Sequence, residues 1–208
     1  MIPNVIVQTS KYTPNKYRVE KLKEYAPGWR YEHFKDNDII SFFKNNPDSE
    51  FPDLENKFHS FISGPHKADL FRFYYLYKNG GVYIDTDCML YSNINSIIKD
   101  YKFVSGETNP SQAFNGFICS EPNNVIIYNT LKYIYQIDIS TLKNDYHAVC
   151  KEFMKIILTH KDDSVELLKE HFVEDGVSTI RNSLGQHKLS HFYKTKIIPI
   201  TFLTRTIN

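Results

Sequence analysis

Apolar positions along the chain fall into short runs and helical periods that alternate. Ile2 to Val7 reads as a first strand, with Pro3 near its start where a missing N–H does least harm, and it ends in polar Gln8, Thr9 and Ser10. Val19, Leu22 and Tyr25 then recur at helical spacing over 15–25, and Pro27-Gly28 stops the pattern. Trp29 to Phe34 alternates as a second strand, followed by a short helix over 39–44 with Asp36 or Asp38 as its cap. After the polar break NNPDSEFPD, helices are predicted over 54–62 and 66–78. Ser63-Gly64-Pro65 opens the second of these, and Asn79-Gly80-Gly81 closes it, because glycine accepts the left-handed conformation common at helix C-caps. Val82 to Ile84, 103–105 and 114–120 read as further strands, and 125–135 and 146–158 as helices.

Strands alternating with helices predict an α/β fold with a mostly parallel central sheet flanked by helices. Such sheets bind ligands at the carboxyl ends of their strands, which is where Gln8, Thr9 and the tripeptide Asp85-Thr86-Asp87 stand. An extended tripeptide aims both carboxylates one way. Like charges that close are tolerated when solvated, or when a divalent cation lies between them. Asp69 and Arg72 are spaced i, i+3 on the preceding helix and share a face. Taken alone they read as an intrahelical salt bridge, but the two-glycine connection holds them close to the paired aspartates. Three carboxylates and one guanidinium suit a polyhydroxyl ligand carrying a metal-bound phosphate.

Composition narrows the classes. The 208 residues predict one domain over 1–208 with a core that needs no staples. A 41% hydrophobic content with 15% aromatic residues is that of a globular chain. A net charge of +1 supplies no general attraction to nucleic acid or anionic membrane, so any anion must be held by a local site. Three cysteines without C-x-x-C spacing argue against a disulfide framework and a structural zinc. No apolar run of about 18 residues occurs and the start lacks a signal-peptide pattern, so the chain reads as cytoplasmic with no transmembrane segment. Neither a G-x-G-x-x-G fingerprint nor a P-loop is present.

The stretch HKADLFRFYYLYKNGGVYIDTDCML, residues 66–90, resembles the signature of DXD-containing sugar-nucleotide glycosyltransferases of the Och1-like mannosyltransferase type, glycosyltransferase family 32. That pattern is an Ala-Asp-x-x-Arg helix, then Leu-Tyr-x-x-Gly-Gly-x-Tyr, then Asp-x-Asp. IPNVIVQTS, PGWRYEHFKD and FNGFICSEPNN are similar to other parts of it, so the likeness covers residues 1–125. Val7 and Ser10 stand where the family has His and Trp, which leaves Tyr12 as a substitute for the aromatic stack on the nucleobase. The family's late His-Trp-Ser segment is missing, and His187 and His191 are read either as metal ligands or as surface residues of a final helix.

The resemblance implies a GT-A-type nucleotide-sugar-binding fold and a nucleotide-sugar donor, a UDP-sugar ahead of GDP-mannose. It also implies Mn²⁺ or Mg²⁺, and hexose transfer with retention to a glycan, lipid or protein hydroxyl. Carried over residue by residue, Asp87 is the main metal ligand and Asp85 contacts the donor and assists at the metal. Asp69 and Arg72 hold sugar hydroxyls. Gln8, Thr9, Tyr83 and Asn115 are further substrate-binding candidates, Tyr83 being equally a core aromatic. Two other readings stand beside this one: a metal-dependent phosphohydrolase or nucleotidyltransferase, and a sugar-nucleotide-binding module without transfer activity.

Overall fold

The computed structural model describes residues 1–173 and 176–192. The first half runs β1 (Val5–Thr9), α1 (Lys16–Tyr25), β2 (Arg30–Phe34), α2 (Asp36–Asn45), α3 (Leu54–Ser60), α4 (Gly64–Asn79), β3 (Gly81–Ile84) and β4 (Cys88–Leu90). Then come α5 (Ile94–Ile98), β5 (Phe103–Asn109), β6 (Gln112–Ser120), α6 (Val125–Gln136), α7 (Ile139–Asn144), α8 (Ala148–Thr159), β7 (Val165–Val173), β8 (Val177–Arg181) and β9 (His187–Phe192).

The strands form one sheet in the order β2-β1-β3-β6-β5-β7-β8-β9-β4. Among the described residues, β1/β2, β1/β3 and β5/β7 pair in parallel, and the other five pairings are antiparallel. The sheet is therefore mixed, not mostly parallel. Helical crossovers join β1, β2 and β3, whereas β5–β6 and β7–β8–β9 are joined by short connections, which suffice only for antiparallel neighbours. β3 and β4 are three residues apart in the chain yet six places apart in the sheet, so the sheet curls until its last strand returns beside its third. Asp85-Thr86-Asp87 bridges that closure.

Both faces of the sheet are covered, and the strands alternate between two apolar cores. Val5, Val7, Tyr83 and Ile118 meet the large core built with α2, α3, α4, α6 and α8. Ile6, Val82, Ile84, Phe117 and Cys119 meet the second core, with Leu22 of α1 and Ile94 and Ile97 of α5. Burial on both faces explains why these strands read as unbroken apolar runs. The long helix α4 buries Asp69 and Arg72 along with its apolar residues. It ends at Gly80 (φ 65°), followed by Gly81 (φ 106°). A Cβ on Gly81 would lie 2.6 Å from Val5 Cγ1, and one on Gly80 would lie 2.7 Å from the Pro122 nitrogen. The glycine pair thus ends the helix and lets β3 lie against β1 without a gap.

Candidate active site

Asp85-Thr86-Asp87 is a turn and not the extended segment expected: the Cys88 N–H donates to Asp85 O at 2.9 Å, closing it. Its two carboxylates consequently serve different neighbourhoods. Asp85 Oδ1 accepts from the Tyr83 hydroxyl at 2.9 Å and lies 3.4 Å from Arg72 Nη1. Asp87 Oδ2 lies 3.6 Å from His191 Nε2. Both aspartates border one cavity of about 570 Å³.

On the Asp85 side the predicted residues form one network. Parallel pairing of β1 with β3 brings Thr9 to Tyr83, with the two hydroxyls 2.8 Å apart. Since the Tyr83 proton goes to Asp85, Thr9 is the donor to Tyr83. The Tyr83 ring is 1% exposed in the core, while its hydroxyl meets Thr9 and Asp85. Burial pushes its pKa well up, so it stays a donor. The Arg72 guanidinium sits 4.3 Å above the Tyr83 ring, 3.4 Å from Asp69 Oδ1, and donates to the Asn115 carbonyl. The Asn115 amide donates to Asp69 Oδ1 at 2.6 Å.

The Asp69–Arg72 pair is no surface bridge: the side chains are 5% and 4% exposed. Burial lifts the Asp69 pKa to about 6, against the pull of Arg72. Burial also opposes the Arg72 cation, but Asp85, Tyr83 and Asp69 outweigh it and hold Arg72 charged. Gly116 makes room for the arrangement, since a Cβ there would fall 2.7 Å from Asp85 Oδ2. A second cavity of about 260 Å³ opens on the far side of this network, bounded by Asp69, Arg72, Asp85, Asn115 and Cys150. Arg72 and Asp85 border both cavities.

Gln8 is not brought into the cavity. It lies on the opposite face of β1 from Thr9, 4% exposed, accepting from Tyr31 and donating to Asp85 O at 3.3 Å. Tyr12 is 74% exposed and does not border the large cavity; the aromatics Phe34, at the end of β2, Phe58 and Tyr83 do, together with Ile39 and Ile62. α2 begins earlier than expected, at Asp36 with Lys35 as its N-cap, so neither Asp36 nor Asp38 is the cap; Asp38, in the first turn, accepts from the Lys35 N–H at 2.9 Å.

His187 and His191 lie on β9 and not on a helix, because His187–Phe192 pairs with β4 and β8. His187 stacks on Tyr91 with ring centroids 4.5 Å apart. His191 stands between two carboxylates, with Nδ1 3.4 Å from Glu170 Oε1 and Nε2 facing Asp87. Burial works against its charge, but Asp87 and Glu170 raise its pKa to about 9. Ser178 donates to Glu170, fixing that carboxylate. Nothing local in the sequence marks Glu170; only the β7–β8–β9 pairing carries it to the site.

No three His, Cys, Asp or Glu side chains among the described residues stand ready to hold a metal alone. The donor set nevertheless suits a hard cation that takes part of its shell from a ligand's phosphates. Asp87 Oδ1 is a buried acceptor oxygen with no hydrogen-bond partner among the described residues, an atom that a cation would satisfy.

Residues 14–104 match the family model of a glycosyltransferase sugar-binding region containing the DXD motif. The DXD region thus covers α1 to the start of β5, including Asp69, Arg72, Asp85 and Asp87. An uncharacterized glycosyltransferase of Acanthamoeba polyphaga mimivirus is 28% identical over 158 residues, 69% of this chain and 61% of that protein. Inositol phosphoceramide mannosyltransferase 1 of Schizosaccharomyces pombe is 27% identical over 104 residues, 50% of this chain and 31% of that protein. The chain therefore spans less than two thirds of either relative. Among solved structures, PaToxG glycosyltransferase superposes with a TM-score of 0.51 at 14% identity, covering 76% of this chain and 69% of that one. That likeness is one of fold. Together the DXD region and its relatives support an enzyme of the glycosyltransferase class.

Proposed function

We propose that the chain is a metal-dependent glycosyltransferase of GT-A type, akin to the Och1-like family 32. It would move a hexose from a nucleoside diphosphate sugar to a hydroxyl of a glycan, lipid or protein. The observation that carries this reading is the turn with Asp85 on the buried Asp69–Arg72–Asn115 network and Asp87 facing outward beside His191. The large cavity has the apolar walls a nucleobase needs, Phe34 foremost, and Asp87 at its border for the diphosphate. The smaller cavity has a size for a sugar ring and not a nucleotide, and its Asp69, Arg72 and Asn115 suit hydroxyl groups.

Asp87 and Asp85 would hold Mn²⁺ or Mg²⁺ with the donor's phosphates. When bound, that ion acts as a Lewis acid for the charge that develops on the departing diphosphate. With the sugar in the smaller cavity, the carboxylates of Asp69 and Asp85 would stabilise positive charge developing on it. A UDP-sugar heads the donor panel. GDP-mannose stands second in it, and the mannosyltransferase and inositol phosphoceramide in the S. pombe relative's name favour testing a mannose donor and a lipid acceptor.

Asp87→Asn tests the reading. It preserves size and removes the charge, so turnover should fall about a hundredfold, as for loss of an electrostatic stabiliser. Residual transfer should need far more Mn²⁺. A folded Asp87→Asn protein with the parent's rate and metal dependence would sink the proposal.

A further inference from the structure

All three carbonyls of Asp85-Thr86-Asp87 are held from outside the turn, each by a different part of the chain. Gln8 Nε2 of β1 donates to Asp85 O, Arg18 Nη1 of α1 donates to Thr86 O at 2.9 Å, and the Phe192 N–H of β9 donates to Asp87 O at 3.0 Å. The Arg18 guanidinium also lies 5.0 Å above the Phe192 ring, which ties the α1 and β9 supports together. Tyr31 donates to Gln8 Oε1 at 2.8 Å and so fixes which end of that amide faces the turn.

We propose that Arg18 and Gln8 are positioning residues that set the Asp85–Asp87 turn in the geometry required for binding a divalent cation. The inference rests on the metal-dependent reading above. A free three-residue turn between two strands has many conformations, and two carboxylates of like charge favour those that separate them. Anchoring every carbonyl leaves the two side chains little freedom except rotation about their own bonds. Neither positioning side chain borders the large cavity, so neither meets a ligand there directly. Arg18 further places a permanent positive charge behind the turn, with its planar guanidinium fitted both to a carbonyl and to an aromatic face. Supports of this kind around metal ligands commonly alter metal affinity by about 10–100-fold when removed.

The experiment titrates Mn²⁺ into the full chain with uridine diphosphate or guanosine diphosphate present, reading free Mn²⁺ by electron paramagnetic resonance. Thermal melting in chelator runs in parallel. Arg18→Met keeps the apolar stem over Phe192 but loses the donor, and should weaken Mn²⁺ binding about tenfold while melting near the parent. Arg18→Lys restores a donor and should recover most of that loss. Should Arg18→Met not fold, Gln8→Met removes a separate support and is read the same way. Parent-like Mn²⁺ affinity in the folded variant overturns the assignment. A parent chain that binds no Mn²⁺ with either diphosphate overturns the metal-dependent reading and this inference with it, whereas a parent that binds beside variants that match it overturns this inference alone.

Discussion

Arg72→Met is the perturbation that most directly measures what the buried network contributes. Methionine keeps much of the arginine's length and its contact with the Tyr83 ring, but removes the cation that faces both Asp69 and Asp85 at 3.4 Å. Because the Asp69 and Arg72 side chains are only 5% and 4% exposed, water solvates the stranded Asp69 carboxylate poorly. Breaking a buried pair of this kind costs about 3–5 kcal/mol, against the ~0.2–1 kcal/mol typical of an exposed one. At about 2–4 °C per kcal/mol for a chain of this size, the melting midpoint should fall by about 6–20 °C.

The loss should depend on pH with a defined sign. Asp69 in the parent has its pKa raised to about 6, and Arg72 is an influence that lowers it. Without Arg72 the folded-state value rises further above the unfolded one, so the carboxyl's contribution is present at low pH and lost as pH climbs through that higher value. The deficit relative to the parent is therefore small at pH 5 and largest at pH 8. Melting followed by circular dichroism at both pH values, for Arg72→Met and for Asp69→Asn/Arg72→Met, checks this. The double variant should recover part of the loss at pH 8 because the stranded carboxylate is gone. A loss below about 1 kcal/mol, equal at both pH values, would show that the pair behaves as an exposed bridge and would refute the reasoning.

Gly116→Ala places a methyl group 2.7 Å from Asp85 Oδ2 and 2.6 Å from Phe114 Cζ. It should cost about 1–3 kcal/mol in overpacking and weaken nucleotide-sugar binding by calorimetry, and unchanged binding would mean that Asp85 is free to move aside. In chelator, His191, raised to about 9 from an ordinary 6.5, should stabilise the fold fully below pH 6.5 and lose that contribution as pH rises through 9. Urea midpoints between pH 6.5 and 10 read this directly, and an identical slope in His191→Gln would remove His191 as its source.

The stretch from α4 through the glycine pair to β3 and the two aspartates is legible in the sequence because its determinants are local. An i, i+3 spacing puts Asp69 beside Arg72, glycines end the helix, and a short apolar run supplies the strand. Sequence alone therefore marked Asp69, Arg72, Tyr83, Asp85 and Asp87 as one neighbourhood, but not that Asp69 and Arg72 are buried. Their burial comes from α6, α8 and the sheet closing over α4, elements far away in the chain. Strand direction escapes the sequence for the same reason: a segment such as Phe103–Asn109, FVSGETN, looks alike whether its neighbour runs parallel or antiparallel, and it has one of each. VELLKEHFV, residues 165–173, mixes charges among its apolar positions and shows no clean period, so only its pairing with β5 and β8 makes it a strand. Through that pairing Glu170 and His191 arrive at Asp87 from across the curled sheet. The conformation of the turn belongs to the tertiary structure as well, since the groups that hold its carbonyls come from Gln8, Arg18 and Phe192, at both ends of the described chain. Local sequence selects residues that can do chemistry at one point. Contacts between distant segments, each carrying the entropy of closing a long loop, fix which carboxylate is buried and which faces a partner.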